Sequence, residues 1–517
     1  HMYEREITDR HGNVVENDQM RVFDYLVEKL RAAGIFLMLT PITWWNSPVF
    51  QAQLEYAYAY WHTGSEDAFG FTNFFGKDAL LWHPEALACQ ERYLGQLFAR
   101  PSTVSGKRLG EYDHLIALEI INEPQYITPD MVTEHPARGA TQLDKALTAP
   151  RDLGPLREQW SAFQHRHGGG FDEFRSSLLA EYLRRMFGVI EPHLRSPVLR
   201  THISWHLGCG PEEELLSRNG LDAMNLGGYL WGPDGFDSSS TDNLDFFQIL
   251  AGRFSPQVMA SLGQSHLGKI IYEYSAVGSM RGYPFAAQAK AFAAMGVQMA
   301  AMFTYTPAAV AEYNPGWRIH YLNYLHTPHK AIALAAAGDL FRQEPRGGIL
   351  PTDPAVWSGP GWAIDRVHDR TTVRSGRQLR HAGDAFNDIL GPDGGIPDAI
   401  TGVGSCRYVQ NFGNGVYTLR RLAPDEIELI LEPCQRTVAD PLRGRSYKPM
   451  ANSYMDVNVV PPVSRLLDAE WQFRLSYPGF ERFRCHRVLD QGGEQEVAVA
   501  DGTFTVRAGT YRIRAHG

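Results

Sequence analysis

Six short apolar segments recur through the first 310 residues, at 35–42, 114–121, 199–205, 223–230, 269–274 and 298–306, each followed by a loop and a stretch of helical character. This alternation constrains the fold more than any other feature, because strands separated by helices pair in parallel with the helices as crossovers. The helix ahead of the first segment is the clearest. Over 18–33, Met20, Phe23, Leu26, Val27 and Leu30 fall on one face at helical spacing, and Gly34 supplies the stop. The fold class expected is α/β, with a (β/α)8 TIM-barrel-type catalytic domain. The six segments fit strands three to eight of such a barrel. Residues 1–18 are polar and carry the turn-like His11-Gly12-Asn13, so they read as the loop after a second strand, and the first two strands are not visible.

A chain of 517 residues exceeds what one hydrophobic core organises, which predicts further domains. Residues 330–341 predict a helix, and 344–399, rich in Gly, Pro, Asp and Arg with weak periodicity, read as a linker or irregular wrap. From about residue 400 short alternating strands follow, at 415–421, 426–431, 471–477 and 503–508, with Gly and Asp at the turns. The expected organisation is a barrel over 1–343, a linker over 344–399 and an all-β sandwich over 400–517.

Composition excludes several function classes. Apolar residues at 44% and charged residues at 21% suit a soluble globular protein. A net charge of -9 without Lys/Arg runs argues against a nucleic-acid partner. No apolar run of about 18 residues appears, so no membrane partner is expected. The five cysteines, Cys89, Cys209, Cys406, Cys434 and Cys485, are dispersed and lack metal-ligand spacing, so neither metal nor cofactor is expected and buried thiols are the preferred reading. One Cys406–Cys434 or Cys434–Cys485 bridge is the alternative. The His-Met start reads as an expression remnant, which leaves the compartment open between the cytoplasm and secretion.

The chemistry begins at Ala117-Leu118-Glu119-Ile120-Ile121-Asn122-Glu123-Pro124, where an apolar strand runs into Asn-Glu-Pro at the rim that hosts barrel active sites. Pro124 ends the strand by withholding an amide hydrogen, and Asn122 offers a neutral donor and acceptor for a sugar hydroxyl. A second strand-end carboxyl follows in Lys269-Ile270-Ile271-Tyr272-Glu273-Tyr274. Glycoside hydrolysis needs two carboxyls, one to protonate the leaving oxygen and one to attack the anomeric carbon or activate water, and a separation of about 5 Å favours retention. The flanking tyrosines and Tyr229 are candidates to keep Glu273 ionised by hydrogen bonding. Glu119, four residues before Glu123, reads as a buried and paired carboxyl. For Glu123 and Glu273 themselves the bland alternative is a structural rim carboxylate.

Together, Ile121-Asn122-Glu123-Pro124 and, about 150 residues later, Ile271-Tyr272-Glu273-Tyr274 resemble glycoside hydrolase clan A over about residues 18–340. The resemblance implies Glu123 as acid/base at the end of strand four, Glu273 as nucleophile at the end of strand seven, and retention of anomeric configuration. It also implies a metal-free mechanism and a hydroxyl contact through Asn122. Members commonly carry an Arg on strand two and often a Trp on strand eight. Here strand two is not visible and strand eight reads Phe303-Thr304-Tyr305-Thr306, which makes Tyr305 the candidate there.

Aromatic residues gather in the expected rim loops, with Trp44, Trp45, His62, Trp82, Trp205, His206 and Trp231 among them. Sugars stack on such rings, so Trp45, Trp205 and Trp231 are candidate platforms, and His206 a candidate hydroxyl contact; His202 can serve the same way or satisfy buried partners. Ordinary core packing is the competing reading for each ring. Long loops over 46–110 and 125–195 suggest a pocket, hence exo action on a β-linked carbohydrate. A non-catalytic carbohydrate-binding barrel and an inverting enzyme, with carboxyls about 6.5–9.5 Å apart, are the alternatives.

Overall fold

The computed structural model describes residues 4–43, 70–75, 79–122, 124, 127–133, 153–203, 219–226, 265–275, 279–311, 322–347, 356–390, 395–438 and 463–516. The chain forms two compact units, one of residues 1–227 and 264–270, the other of 228–263 and 271–517.

The first unit opens on helix α1 (Asp18–Ala32). The Asn17 side chain caps it by accepting from Met20 N at 3.0 Å, and Gly34 follows its end at φ +69°. The buried stripe differs from the predicted one: Met20, Asp24 and Val27 point inward, while Leu26 is 51% exposed. The rotation follows from an ion pair. Arg100, just past helix α2 (Pro84–Ala99), grips both oxygens of Asp24 at 2.8 and 2.9 Å, and Thr103 donates to Asp24 through its amide and hydroxyl. Burial alone would raise the Asp24 carboxyl; these donors together hold it below its ordinary value.

All six expected strands form: β1 (Leu37–Leu39), β2 (Leu115–Glu119), β3 (Leu199–Ile203), β4 (Ala223–Asn225), β5 (Gly268–Tyr274) and β6 (Met299–Met302). They lie in the sheet order β1-β2-β3-β4-β5-β6, with β1 through β5 paired in parallel. The intervals 46–110 and 125–195, read as long loops, contain α2, α3 (Gly154–His167) and α4 (Phe171–Ile190). In the stretch before α1, Asp9 Oδ1 accepts from the amides of His11 and Asn13 to close a tight turn. A side chain at Gly12 in that turn would meet the Cys89 carbonyl oxygen at 2.2 Å, so only glycine fits.

In the second unit, helices α5 (Tyr283–Ala294) and α6 (Pro328–Gln343) pack on one another. The expected linker over 344–399 is instead sheet: β7 (Val356–Gly359), β8 (Trp362–Asp365), β9 (Arg370–Ser375) and β10 (Gln378–Ala382). The strands are four to six residues long and two hairpins turn on Pro360-Gly361 and Gly376-Arg377, so turn residues dominated the composition and masked the alternation. These four belong to the ten-stranded sheet β19-β18-β21-β14-β13-β11-β10-β9-β8-β7. Its further members are β11 (Ala399–Val403), β13 (Tyr417–Ala423), β14 (Glu426–Leu431), β18 (Phe483–Val488), β19 (Glu494–Val497) and β21 (Gly509–Ala515). A second sheet of β12 (Val409–Asn411), β17 (Trp471–Leu475) and β20 (Thr503–Val506) faces it, and a pair of β15 (Cys434–Val438) and β16 (Val463–Leu467) stands apart. Leu379, Leu419, Leu429 and Ile513 from the large sheet share one core with Phe473, Leu475 and Phe504 from the small one, the layering of a sandwich.

That core holds one polar chain. His381 Nδ1 donates to Gly383 O at 2.8 Å, so Nε2 accepts the Tyr417 hydroxyl at 2.6 Å, and the Cys406 thiol lies 3.6 Å from the same hydroxyl. Beside it a side chain at Gly402 would meet His381 Nε2 at 2.2 Å. The four described cysteines, Cys89, Cys406, Cys434 and Cys485, are free and buried; Cys209 lies outside the described residues.

Two outcomes follow. Tyr417→Phe strips His381 Nε2 of its donor, and urea unfolding is expected to show a loss of about 1–3 kcal/mol. Burial also holds the His381 imidazole down to about 4, whereas the unfolded chain protonates it near about 6.5. Unfolding therefore takes up a proton between those values. The contribution is complete above about pH 6.5 and falls as pH drops toward 4, by up to about 1.4 kcal/mol per unit. Unfolding midpoints at pH 7, 6 and 5 check it; a flat series contradicts the neutral buried imidazole.

Candidate active site

In the first unit, polar side chains from two strand ends converge on a buried carboxyl at a third. Glu119 ends β2 with no solvent exposure. Thr40, just past β1, donates its hydroxyl to Glu119 Oε2 at 3.4 Å, and Asn225 at the end of β4 donates its amide to Oε1 at 3.4 Å. Glu119 is thus buried and paired, as the sequence suggested. Neither partner was foreseen, although Asn225 closing an apolar run at a strand end is a readable signal.

The chain beyond β2 is clamped to the chain beyond β1. Asn122 N donates to Ile42 O at 2.7 Å and Ile42 N to Ile120 O at 3.2 Å, which prolongs the parallel pairing to the Asn-Glu-Pro motif. The adjoining segment is fixed in turn: Glu4 accepts from Thr43 N at 2.9 Å and from the Thr72 hydroxyl at 2.7 Å, and the Tyr93 hydroxyl donates to Pro41 O at 3.0 Å. Asn122 is buried at the strand-end rim. Pro124 is described, whereas Glu123 lies outside the described residues. His202 on β3 is buried, and burial holds its imidazole down to about 3, so it stays neutral and cannot act as a general acid near neutrality.

In the second unit, Glu273 is the penultimate residue of β5 and is 8% exposed. Its orientation follows from its neighbour. Tyr274 packs edge-on against Phe285 and Phe292 of α5, with ring centroids 6.2 and 5.3 Å away, and burial pushes its hydroxyl above the ordinary range. Successive side chains leave a strand on opposite faces, so Glu273 is directed away from α5. The same alternation sends Tyr272 and Tyr274 to the face opposite Glu273. The strand-eight candidate Tyr305 is 54% exposed, and its hydroxyl accepts from Asn323 Nδ2 at 3.5 Å.

The other candidates, Trp45, Trp205, His206, Tyr229 and Trp231, lie outside the described residues, as do Trp44 and His62. Trp82 is buried and packs on His83, so it belongs to the core. Among the described residues no group of three or more His, Cys, Asp or Glu side chains is placed to hold a metal ion, and no helix is long and apolar enough to cross a membrane.

No family model matches the chain, and no curated protein matches its sequence. Among solved structures it is similar to an endo-β-1,4-mannanase from Thermotoga petrophila, at 13% identity and a TM-score of 0.40 over 80% of this chain and 79% of that one. It is similar also to an endo-1,4-β-mannanase from Rhizomucor miehei, at 13% identity and a TM-score of 0.38 over 64% and 79%. A third is a hyperthermophilic β-glucosidase from Pyrococcus furiosus, at 12% identity and a TM-score of 0.32 over 64% and 71%. Likeness of this size leaves fold and activity to be argued from the chain's own residues.

Removing the Glu119 carboxyl tests the buried cluster. Glu119→Ala leaves the Thr40 hydroxyl and the Asn225 amide without this acceptor, and a stability loss of about 1–3 kcal/mol is expected in urea unfolding. Wild-type stability in this variant contradicts the contacts.

Proposed function

We propose that the chain is a retaining glycoside hydrolase in which Glu273 is the nucleophile and Glu123 the acid/base, with β1–β6 standing as strands three to eight of a (β/α)8 barrel. The observation that carries this reading is the placing of Glu273: a buried carboxyl at the C-terminal end of a parallel strand, on the face turned away from the packing helix. Active sites of parallel α/β barrels lie at that end of the strands. The Asn-Glu-Pro motif follows the C-terminal end of β2, with Asn122 held by the main chain beyond β1.

In this mechanism Glu273 attacks the anomeric carbon while Glu123 gives its proton to the departing glycosidic oxygen. The glycosyl-Glu273 ester is then opened by water, whose proton returns to Glu123. Asn122 grips a hydroxyl beside the scissile bond. To Tyr305, with its hydroxyl held by Asn323, we assign a substrate contact, and the same role to Tyr229, Trp45, Trp205, His206 and Trp231. We assign exo action to a β-linked carbohydrate, supported by the long connections from β1 to α2 and from β2 to α3.

Aryl β-glycosides with different sugars, hydrolysed by wild type, Glu123→Ala and Glu273→Ala with and without azide, test the assignment. Both variants are expected to lose on the order of a thousandfold or more in kcat/KM. Azide is expected to rescue Glu123→Ala with retained configuration and Glu273→Ala with inverted configuration. Full activity in either variant removes that residue from the mechanism, and inversion by wild type replaces a retaining enzyme with an inverting one. On a soluble polymer, viscosity falling ahead of reducing-end release contradicts exo action.

A further inference from the structure

Within the unit of residues 271–517, the β8–β9 turn, the start of α6, the end of β10 and the β15–β16 pair enclose a cleft of about 680 Å³. That volume lies within the range of small-molecule sites, roughly 300–1,000 Å³. Most of its described lining residues carry polar or charged side chains, and several of these share one arrangement: one end is fixed by a hydrogen bond within the protein and another polar atom is unused.

The arrangement can be followed atom by atom. His326 Nδ1 lies 3.0 Å from both the carbonyl and the hydroxyl oxygen of Ser464. The Ser464 hydroxyl donates to His326 O at 2.9 Å, so both Ser464 oxygens accept, Nδ1 carries the proton and Nε2 keeps its lone pair. His368 Nδ1 is spent on Asp365 Oδ2 at 2.8 Å, which leaves its Nε2. Arg370 commits Nε and Nη2 to that same oxygen at 3.2 and 2.7 Å, which leaves Nη1. Burial would raise the Asp365 carboxyl, but the His368 amide, Arg370 and the His368 ring hold it down to about 2, a firm anchor for both side chains. Asp384 Oδ1 accepts from Ser405 N at 2.9 Å, which leaves Oδ2. Gln435 is tied to Asn414 through its main chain, at 2.9 and 2.7 Å, which leaves its side-chain amide. None of these five unused groups has a hydrogen-bond partner among the described residues.

We propose that this cleft is a second carbohydrate-binding site, one that takes the hydroxyls of a neutral glycan. The unused set mixes an acceptor (Asp384), a donor (Arg370), two imidazole nitrogens (His326, His368) and an amide that is both donor and acceptor (Gln435), which suits hydroxyls that donate and accept at once. The charges lining the cleft balance. Asp369 and Asp384 would oppose an anion, and Lys330 and Arg370 would oppose a cation. Among the described residues no Phe, Tyr or Trp lines it, so we assign recognition to hydroxyl edges rather than to stacking on such a ring. Anchoring the polar heads beforehand lowers the ordering cost of binding. The choice of a glycan over another neutral polyol rests on the carbohydrate reading above.

The test titrates cellohexaose, mannohexaose and xylohexaose into the full chain carrying Glu273→Ala, with and without Asp384→Asn plus Gln435→Ala. At least one hexaose is expected to bind in two events, of which the cleft variants weaken one by about tenfold or more. In the Glu273-intact chain the cleft variants are expected to hydrolyse aryl glycosides at the wild-type rate. Binding unchanged by the cleft variants, or binding of inorganic phosphate and of no hexaose, overturns the proposal while leaving the catalytic reading standing. Hexaose binding that depends on the cleft, in a chain that hydrolyses no glycoside, keeps the cleft and sinks the catalytic reading.

Discussion

Side-chain alternation along β5 is the constraint on which the catalytic reading depends. Tyr274 is a large ring with a buried hydroxyl, and its edge-on contacts with Phe285 and Phe292 fix which face of the strand meets α5. Once that face is chosen, Glu273 has no freedom left: the two-residue period sends it to the other side, and its place one residue from the strand end sets it at the rim. A one-residue slip would put the carboxyl against two phenylalanines, where burying it unpaired costs several kcal/mol. The tyrosine thus fixes a direction for its neighbour.

The same economy governs the first unit. A buried carboxyl is expensive unless donors surround it, and Glu119 is met by donors from two other strand ends. Asp24 shows how such a pair reshapes packing. With Arg100 gripping it, the helix turns its polar residue inward and leaves Leu26 exposed, against the apolar periodicity. Periodicity assumes that only apolar groups are worth burying, and a two-point ion pair with further donors is the case in which that assumption fails.

The cleft beside the β8–β9 turn is built on another buried carboxyl. Asp365 receives the His368 ring, the His368 amide and the Arg370 guanidinium, so one anion organises two cleft side chains. The turn itself is fastened by Asp369, which accepts from the amides of Gly282 and Tyr283 at the start of α5. A stretch that reads as linker from its turn residues is therefore bonded to α5 and to its own carboxylates.

By itself the sequence determined what local pattern can carry. Six apolar strands, the helix beginning at Asp18, the β-rich C-terminal region and the strand-end position of Glu273 each depend on neighbours within a few residues, and the structure has all four. Tertiary structure decided the rest. It set the burial of Asp24, the sheet membership of 356–382, the partners of Glu119, the neutral His381 beside Gly402 and the cleft around Asp365. The contacts of Asp24, Glu119 and His381 join residues 76, 106 and 36 positions apart. Whether a polar side chain pays its desolvation cost depends on which distant donor arrives, and no local period encodes that arrival.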